Sequence, residues 1–520
     1  MTMAKSYKWR WWAAGLCVLV GMGWIAPAFA ADDTIIVARP TDSDSLDTHR
    51  VSTTISLQVM TQIYGNMVHM DGDANIVGGL AESYSESADG KTYTFKMRPG
   101  GVPCHDGTVF DAKAAKWNFD RVSHPDTASP NASSYGGIVG TQIDGDNVIV
   151  ELEAAYSALP AFLAGPLAHF MCPASIQGDD VTPVGTGPWK FVSWDRNNEI
   201  VLERFDNHVN YHPMIDNPGA PLMKRLVFKT ITEGPARMAA LKTGEVHFAE
   251  PSLQDAAEMK SDDEYTVYTS PHSGQQAYIA FAHKIPPFDD VRARRAVGYA
   301  VDRNVFANIA FEGLVEATNC PIAPGLLAAD QEKCKQWGTS YDPDKARALL
   351  AELGYGADNP LEVIMSVSTL QGWDESHVIM QQQLAEVGIV AKMETRQFAA
   401  WVDHMSGVND QTEGTPVVWT MGMSGMDPDY LVFLWQRPGY ANQGIDDPVL
   451  DKMLREQRAL SGDARRDKLF EIQKFLLENA YEIPTWSPGW FWLQASKSNV
   501  KGFKQVHMVT PIFNDVTIED

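Results

Sequence analysis

Apolar and polar positions alternate with helical and strand periods along most of the chain. Short apolar runs predict strands at residues 34–38, 361–366, 389–394 and 417–419. A spacing of three to four residues predicts helices at residues 56–68, 110–122, 238–243, 290–301, 378–387, 449–460 and 464–478. A further helix is expected to begin at Asp342-Pro343 and to end at Gly354.

Turn residues divide these elements. Asp89-Gly90 and Gly145-Asp146 lie between alternating segments and predict two hairpins. From about residue 285 onward, strands alternate with helices, which is typical of an α/β lobe with a mainly parallel sheet. We found no tandem repeat and no low-complexity linker, so we expect short strands to join the lobes.

The first 30 residues have the pattern of a secretory signal peptide. Lys5, Lys8 and Arg10 precede an apolar run from residue 11 to 25, and Ala28-Phe29-Ala30 offers small residues for cleavage after Ala30. The alternative of a membrane anchor fails, because the run is shorter than the roughly 20 residues that span a bilayer. We therefore expect export to the periplasm.

The net negative charge of the chain argues against a nucleic-acid partner. The formal net charge is −24 over 520 residues, and removal of the three basic residues of the signal peptide makes it more negative. Such a surface repels nucleic acid, so no nucleic-acid partner is expected. The mature chain is long enough for two or three packed lobes.

The cysteines point to disulfide chemistry. Four remain after processing, and in an oxidising compartment an even number favours pairing. Cys320 and Cys334 flank a loop with Pro and Gly and are predicted to form a bridge. For Cys104 and Cys172, a second bridge and buried free thiols both stay open. The spacings match no zinc motif.

Several short motifs resemble the family 5 extracellular solute-binding proteins of ABC importers, the peptide-, nickel- and opine-binding group. They occur in family order across nearly the whole mature chain. The motifs are Gly79-Leu80-Ala81-Glu82-Ser83-Tyr84, Asp89-Gly90-Lys91-Thr92-Tyr93-Thr94-Phe95, Arg98-Pro99-Gly100, His105-Asp106-Gly107-Thr108, Gly185-Thr186-Gly187-Pro188-Trp189, Val291-Arg292-Ala293-Arg294-Arg295-Ala296-Val297 and Asp427-Pro428-Asp429. Each motif is weak alone, whereas the ordered series is specific.

The resemblance implies a two-lobe periplasmic binding protein of α/β class (cluster C, class II-like) with a hinged ligand cleft. Lobe I would comprise residues 31–280 and 486–520, with an extra subdomain at about 77–194. Lobe II would comprise residues 281–485. The implied protein is a monomeric receptor, not an enzyme, and needs no cofactor. It would capture a small molecule and deliver it to an inner-membrane ABC permease with its ATPase.

The ligand is expected to differ from the simple dipeptides of the best-known members. Peptide binders of the family hold the α-amino group with an Asp at the position that Ser424 takes here. A serine can hydrogen-bond an ammonium group but cannot form a charge-assisted pair with it. The loop that carries a carboxylate-binding Arg in dipeptide binders matches residues 368–374, which contain no Arg. A peptide-like, opine-like or chelate-like solute is therefore expected.

Several side chains are candidates to line the cleft. Arg50 could hold a carboxylate bidentately, Ser52 lies in the segment that lines the site in nickel-chelate relatives, and Tyr135 lies in a loop that reaches the cleft in relatives. Aromatic and methionine side chains suit stacking and a permissive pocket. The predicted ligand-binding set is Arg50, Ser52, Tyr135, Trp373, Trp419, Met423, Ser424, Met426, Asp427 and Trp486.

Other interpretations have less support. Gly185 and Gly187 could suggest a phosphate loop, yet Pro188 removes a donor, and a turn that carries Trp189 into the core is favoured. His208 and His212 could bind metal on a helix, but the prolines nearby favour a loop, so no metal is expected. An exported hydrolase lacks a nucleophile motif. A binding protein that serves a chemoreceptor or a chaperone role would have the same sequence features.

Overall fold

The computed structural model describes most of the chain. The described residues are 33–51, 53–178, 180–269, 274–369, 373–408, 411–436, 445–487, 493–506 and 510–519. The predicted signal peptide lies outside them. Within these ranges, no helix is both long enough and apolar enough to cross a bilayer.

The helices predicted from the apolar period and the caps all form, some with shifted ends, and the structure adds others that the pattern did not predict. Asp111 accepts hydrogen bonds from the backbone N–H groups of Lys113 and Ala114, and Asp342 accepts one from Lys345. The helices are Thr54–Ile63, Ala112–Ser123, Leu159–Leu163, Gly234–Thr243, Leu253–Lys260, Val291–Ala300, Arg303–Ala310, Gln331–Trp337, Pro343–Glu352, Trp373–Glu386, Phe398–Val408, Tyr430–Trp435, Pro448–Gln457 and Gly462–Glu478. Single 3₁₀ turns occur at Pro125–Thr127, Ala132–Tyr135 and Pro173–Ser175.

The first helix ends earlier than predicted. It stops at Ile63, and the residues predicted to continue it form the strands Gly65–Asn66 and Val68–Met70. The turn at Gly187 packs against this helix end, and its N–H donates to the Ile63 carbonyl at 2.9 Å. A Cβ at Gly187 would lie 2.5 Å from a backbone oxygen of the helix, so only glycine fits there. This close approach places Trp189 in the core with no exposed surface, as predicted.

The first half of the chain builds a seven-stranded and a four-stranded sheet. The seven-stranded sheet has the order Trp189–Asp195, Glu199–Arg204, Arg225–Thr230, Thr34–Arg39, Phe248–Ala249, Gln494–Lys497 and Tyr265–Tyr268. The four-stranded antiparallel sheet has the order Ala81–Glu86, Thr92–Met97, Asn147–Leu152 and Ile138–Asp144, and it contains both predicted hairpins. The strand Gln494–Lys497 lies within the larger sheet, between Phe248–Ala249 and Tyr265–Tyr268, so a segment near the end of the chain packs with the first half.

The second half builds a five-stranded sheet. Its order is Ile389–Arg396, Leu361–Ser368, Val417–Ser424, Gln275–Phe281 and Ile483–Pro484. The first three strands are parallel, as predicted, but the last two join antiparallel, so the sheet is mixed. These two strands are the connections through which the chain enters and leaves this half, and neither requires a crossover helix.

The remaining strands form small two-stranded sheets at the edges of these layers. The pairs are Gly65–Asn66 with His169–Phe170, Val68–Met70 with Ile76–Gly78, Val102–Pro103 with Val109–Phe110, Ile176–Gln177 with Asp180–Val181, Glu316–Ala317 with Trp486–Ser487, Val500–Lys501 with Thr517–Ile518, and Lys504–Val506 with Thr510–Ile512.

Two disulfides link the chain. Cys320 and Cys334 are bridged, with 5.2 Å between their Cα atoms, next to the helix Gln331–Trp337. Cys104 and Cys172 also form a bridge, with 6.4 Å between Cα atoms, and both are buried in the core beneath the four-stranded sheet. The alternative of buried free thiols is therefore not what the structure shows.

We expect the stability of the fold to decrease as the pH rises from about 4.5 to about 8 because of Glu482. This side chain is fully buried, neither carboxylate oxygen has a partner among the described residues, and burial raises its pKa to about 8. Between pH 4.5 and 8 the unfolded chain ionises Glu482 and the native state does not, so the free energy of unfolding falls as pH rises.

A Glu482→Gln variant should remove this dependence, which amounts to about 1.4 kcal/mol per pH unit. Thermal unfolding of the wild type and the variant from pH 5 to pH 8 measures it. Parallel melting-temperature profiles for the two proteins would contradict the assignment.

Candidate functional site

A cavity of about 760 Å³ lies between the two halves of the molecule. One wall comes from the first half, namely the 3₁₀ turn Ala132–Tyr135 and the segment from residue 156 to 167. The other wall comes from the second half, namely the end of the strand Val417–Ser424, the turn that follows and the helix Tyr430–Trp435. The cavity is therefore a cleft between the half of the molecule that contains the seven-stranded sheet and the half that contains the five-stranded sheet.

The strand Val417–Ser424 delivers its last residues to this cavity. Its first four residues are buried and its last four are half-buried, because the strand runs from the core toward the gap. The neighbouring strand Gln275–Phe281 pairs with it over its whole length, and Gln275 lies opposite Ser424. Beyond the pair, Gly425 donates to the carbonyl of Gly274 at 3.0 Å, and a Cβ on Gly274 would lie 2.0 Å from the carbonyl oxygen of Gly425. This contact requires glycine and fixes where Ser424 lies.

Two ion pairs hold the turn after the strand. Asp427 binds Arg465, with one N–O distance of 2.8 Å. Asp429 binds Arg458 through two hydrogen bonds of 2.8 and 2.7 Å and accepts a third from Gln457 at 2.6 Å. Burial raises the pKa of Asp429, and the ion pair with Arg458 opposes that effect. Within the described lining of the cavity, every charged side chain is thus already paired.

Hydroxyl groups and aromatic rings supply the remaining contacts. Ser133, Ser134 and Ser424 line the cavity, and their hydroxyl groups have no hydrogen-bond partner among the described residues. The aromatic lining consists of Tyr156, Phe162, Tyr430 and Phe433. The Arg458 guanidinium lies 5.2 Å from the ring centre of Tyr156, and its side chain is 36% exposed. The hydroxyl groups can hydrogen-bond to a small molecule and the rings can stack on it. Arg458 presents one positive charge, which Asp429 partly neutralises.

Four of the predicted ligand-binding residues meet in this cavity. They are Met423, Ser424, Met426 and Asp427. Their spacing in one strand and turn explains why the sequence pointed to them. Whether they contact a ligand stays a prediction.

Four others lie elsewhere. Arg50 is exposed and faces Asp47, with 3.9 Å between Nε and a carboxylate oxygen. Tyr135 is buried against Phe119 and Phe162, behind the cavity wall. Two tryptophans are fully buried in cores, which is the ordinary place for a large apolar ring; they are Trp419 and Trp486. Ser52 lies outside the described residues, and of Trp373 only the backbone, at the start of a helix, is described.

Several lining residues carried no signal in the sequence. Ser133, Tyr156 and Arg458 belong to segments more than 20 residues apart and meet only through folding. Tyr430 and Phe433 were within reach of sequence reasoning, since their spacing of three places them on one face of a helix directly after the Asp-Pro-Asp motif.

A second, smaller cavity of about 80 Å³ lies within the first half and contains many histidines. His69, His169, His208 and His212 line it, with 4.6 Å between the ring centres of His69 and His212. Among the described residues, no group of three or more His, Cys, Asp or Glu side chains could hold a metal ion.

Comparison with known proteins identifies the family. The sequence profile of the bacterial extracellular solute-binding proteins, family 5 (middle), matches residues 75–444. The chain belongs to this family. A glutathione-binding protein GsiB from Pectobacterium atrosepticum is 32% identical over 389 residues, which cover 73% of this chain and 72% of that protein.

Solved structures of the same type show the fold of this family 5 protein. NikA from Brucella suis in complex with Fe(III)-EDTA matches with a TM-score of 0.79 at 22% identity, covering 94% of this chain and 100% of NikA. The binding protein AgaA from A. tumefaciens R10 in complex with agropinic acid matches with a TM-score of 0.69 at 25% identity, covering 94% and 99%. The predicted family, the two-lobe α/β fold and the general function of a solute-binding protein are thereby confirmed.

We expect Ser424→Trp to abolish solute binding by this family 5 protein. The larger ring would fill the cavity without entering a core, because Ser424 is only half-buried. Isothermal titration with a solute that the wild type binds, together with the melting temperature, measures both effects. Leu222→Trp is the matched control, since Leu222 is 52% exposed and lies outside both cavities. Unchanged affinity in the Ser424 variant would remove this residue from the site.

The histidine cavity should make the protein sensitive to acid. Burial lowers the pKa of His169 to about 3 and that of His208 to about 4. Below pH 6.5 the unfolded chain binds protons that the native state excludes, so the free energy of unfolding falls as pH drops from 6.5 toward 4.

His169→Gln should reduce this acid loss by about 1.4 kcal/mol per pH unit, and the exposed His124→Gln variant serves as the control. Melting curves from pH 7 to pH 4.5 report the effect. An identical acid dependence in all three proteins would contradict it.

Proposed function

We propose that this protein is a periplasmic receptor that captures a small solute in the 760 Å³ cavity and delivers it to an inner-membrane ABC permease and its ATPase. The cavity between two walls from different halves of the chain is the observation that carries the proposal. Membership of the family supports the role. The receptor would act as a monomer, and closure around the solute would provide the signal for docking.

The proposed lobes follow the sheets. Lobe I would comprise residues 31–280 and 486–520, which include the seven- and four-stranded sheets, with an inserted subdomain at about 77–194. Lobe II would comprise residues 281–485. The strand Gln275–Phe281 pairs within the five-stranded sheet, which supports a crossing between the lobes just before this strand, a few residues ahead of the predicted boundary at 280. Short connections of this kind are suited to a hinge.

The chemistry of the cavity indicates which solutes fit. No unpaired carboxylate lines it in the described part of the chain, because Asp427 and Asp429 are both bound to arginines. A free α-ammonium group would therefore find only hydroxyl groups and carbonyls. Three serine hydroxyls, aromatic faces and Arg458 favour a peptide-like or opine-like solute that presents amide, hydroxyl and carboxylate groups.

Relatives support this class of solute. A protein 32% identical to this chain is named for glutathione binding, and one 25% identical was solved with agropinic acid. Both names refer to compounds that carry carboxylates and that are not simple dipeptides. We propose the same broad chemistry here.

The test is a binding screen on the purified mature protein. Native mass spectrometry would first identify any solute that purifies with it. Titration calorimetry and thermal shift would then compare reduced glutathione, agropinic acid, a nickel chelate and simple dipeptides. A solute at about a hundred times its Kd should stabilise the protein by about 2.7 kcal/mol.

A substitution at Ser424 tests the proposed solute class directly. Ser424→Asp would restore a carboxylate at the cavity and should raise the affinity for dipeptides with a free amino group, whereas the wild type should prefer glutathione or the opine. Tight binding of dipeptides alone by the wild type would overturn the proposed solute class. Binding of nothing in the panel, with no co-purified solute, would count against the receptor role of this cavity.

A further inference from the structure

The side chain of Met426 extends from the second half of the molecule into the first. It is 8% exposed and packs on Met70 and Ala161, which both belong to the first half of the chain. Gly165 completes this socket, because a Cβ there would lie only 2.8 Å from the Met426 Cγ atom. An apolar contact thus spans the gap between the two halves.

Space remains on both sides of this contact. The 760 Å³ cavity lies on one side, and a second chamber of about 190 Å³ lies on the other. Met426 and Asp427 line both spaces. The Met426 side chain therefore lies between the two chambers and borders both of them.

The two chambers differ in chemistry. The larger one has hydroxyl and aromatic lining and no unpaired carboxylate among the described residues. The smaller one is lined by Tyr84, Glu86, Ser157 and Arg465, and the exposed Glu86 carboxylate has no cationic partner in the described ion pairs. Arg465 is bound to Asp427 and forms no described ion pair with Glu86. A ligand group that entered the smaller chamber would meet the Glu86 carboxylate, which is a negatively charged hydrogen-bond acceptor.

We propose that Met426 sets the length of the solute by dividing the space between the lobes into these two chambers. This inference rests on the proposed receptor function of the larger cavity. A solute of glutathione size occupies the larger chamber, and the thioether excludes an extension by one or two residues. The unbranched Met side chain suits this position, since it fills an irregular socket and adapts to it.

Residue 426 is then a determinant of specificity. Removing its side chain joins the chambers and admits a longer peptide whose amino-terminal end reaches Glu86. A peptide ammonium group and the Glu86 carboxylate would form a charge-assisted hydrogen bond, which adds affinity that the larger chamber alone does not provide.

Calorimetric titration of the wild type, Met426→Ala and Met426→Leu tests the proposal. The probes are reduced glutathione, trialanine, tetraalanine and pentaalanine. We expect Met426→Ala to gain about tenfold in affinity for pentaalanine relative to the wild type. Met426→Leu keeps an apolar side chain between the chambers and should keep the wild-type preference for peptide length. An unchanged length preference in Met426→Ala, in a protein that binds glutathione normally, would overturn the proposal.

A second measurement needs no solute. Gly165→Ala should lower the melting temperature of the wild type, because the new methyl group meets Met426 Cγ, and should have a much smaller effect in the Met426→Ala background. Additive effects would show that Met426 does not occupy the socket and would refute the partition. If no probe binds the wild type while this coupling is present, the receptor proposal fails for these solutes and the partition stands.

Discussion

Two arginine–carboxylate pairs hold the turn on which the candidate site depends. Asp427 and Asp429 are bound to Arg465 and Arg458, and both carboxylates are largely shielded from water. Removing one member of a buried pair leaves an uncompensated charge, at a cost of about 3–5 kcal/mol. The turn therefore has one favoured arrangement, and the residues just before it, Ser424 to Met426, are held at the cavity.

These pairs also determine the electrostatics of the site. The acidic motif that marks the family is bound to arginines and is not available to a solute. Ser424 takes the position at which the resemblance implies an ammonium-binding Asp in peptide binders, and no free carboxylate lines the part of the cavity that the structure describes. The described lining is left with hydroxyl groups, rings and a partly exposed guanidinium, which supports the proposal of a solute other than a simple dipeptide.

Arg458 connects this turn to the opposite wall. Its guanidinium binds Asp429 and stacks on Tyr156, and its carbonyl accepts a hydrogen bond from the Ser157 N–H at 2.9 Å. The apolar contact of Met426 with Met70 lies beside these polar contacts. These contacts join the two halves of the chain directly beside the cavity.

The sequence by itself determined many of the local elements, the family, and four residues that line the candidate cavity. Asp111 and Asp342 cap their helices as predicted because capping is a local hydrogen bond, and the hairpin at Asp89-Gly90 depends on adjacent residues alone. The end of the first helix and the mixed second sheet escaped prediction, since the turn at Gly187 and the pairing of Gln275–Phe281 are contacts between distant segments. Only the tertiary structure decided that Trp419 and Trp486 belong to cores, and that Ser133, Tyr156 and Arg458 line one cavity. Periodicity and capping act over a few residues, whereas a cleft is made by segments that lie hundreds of residues apart in the chain.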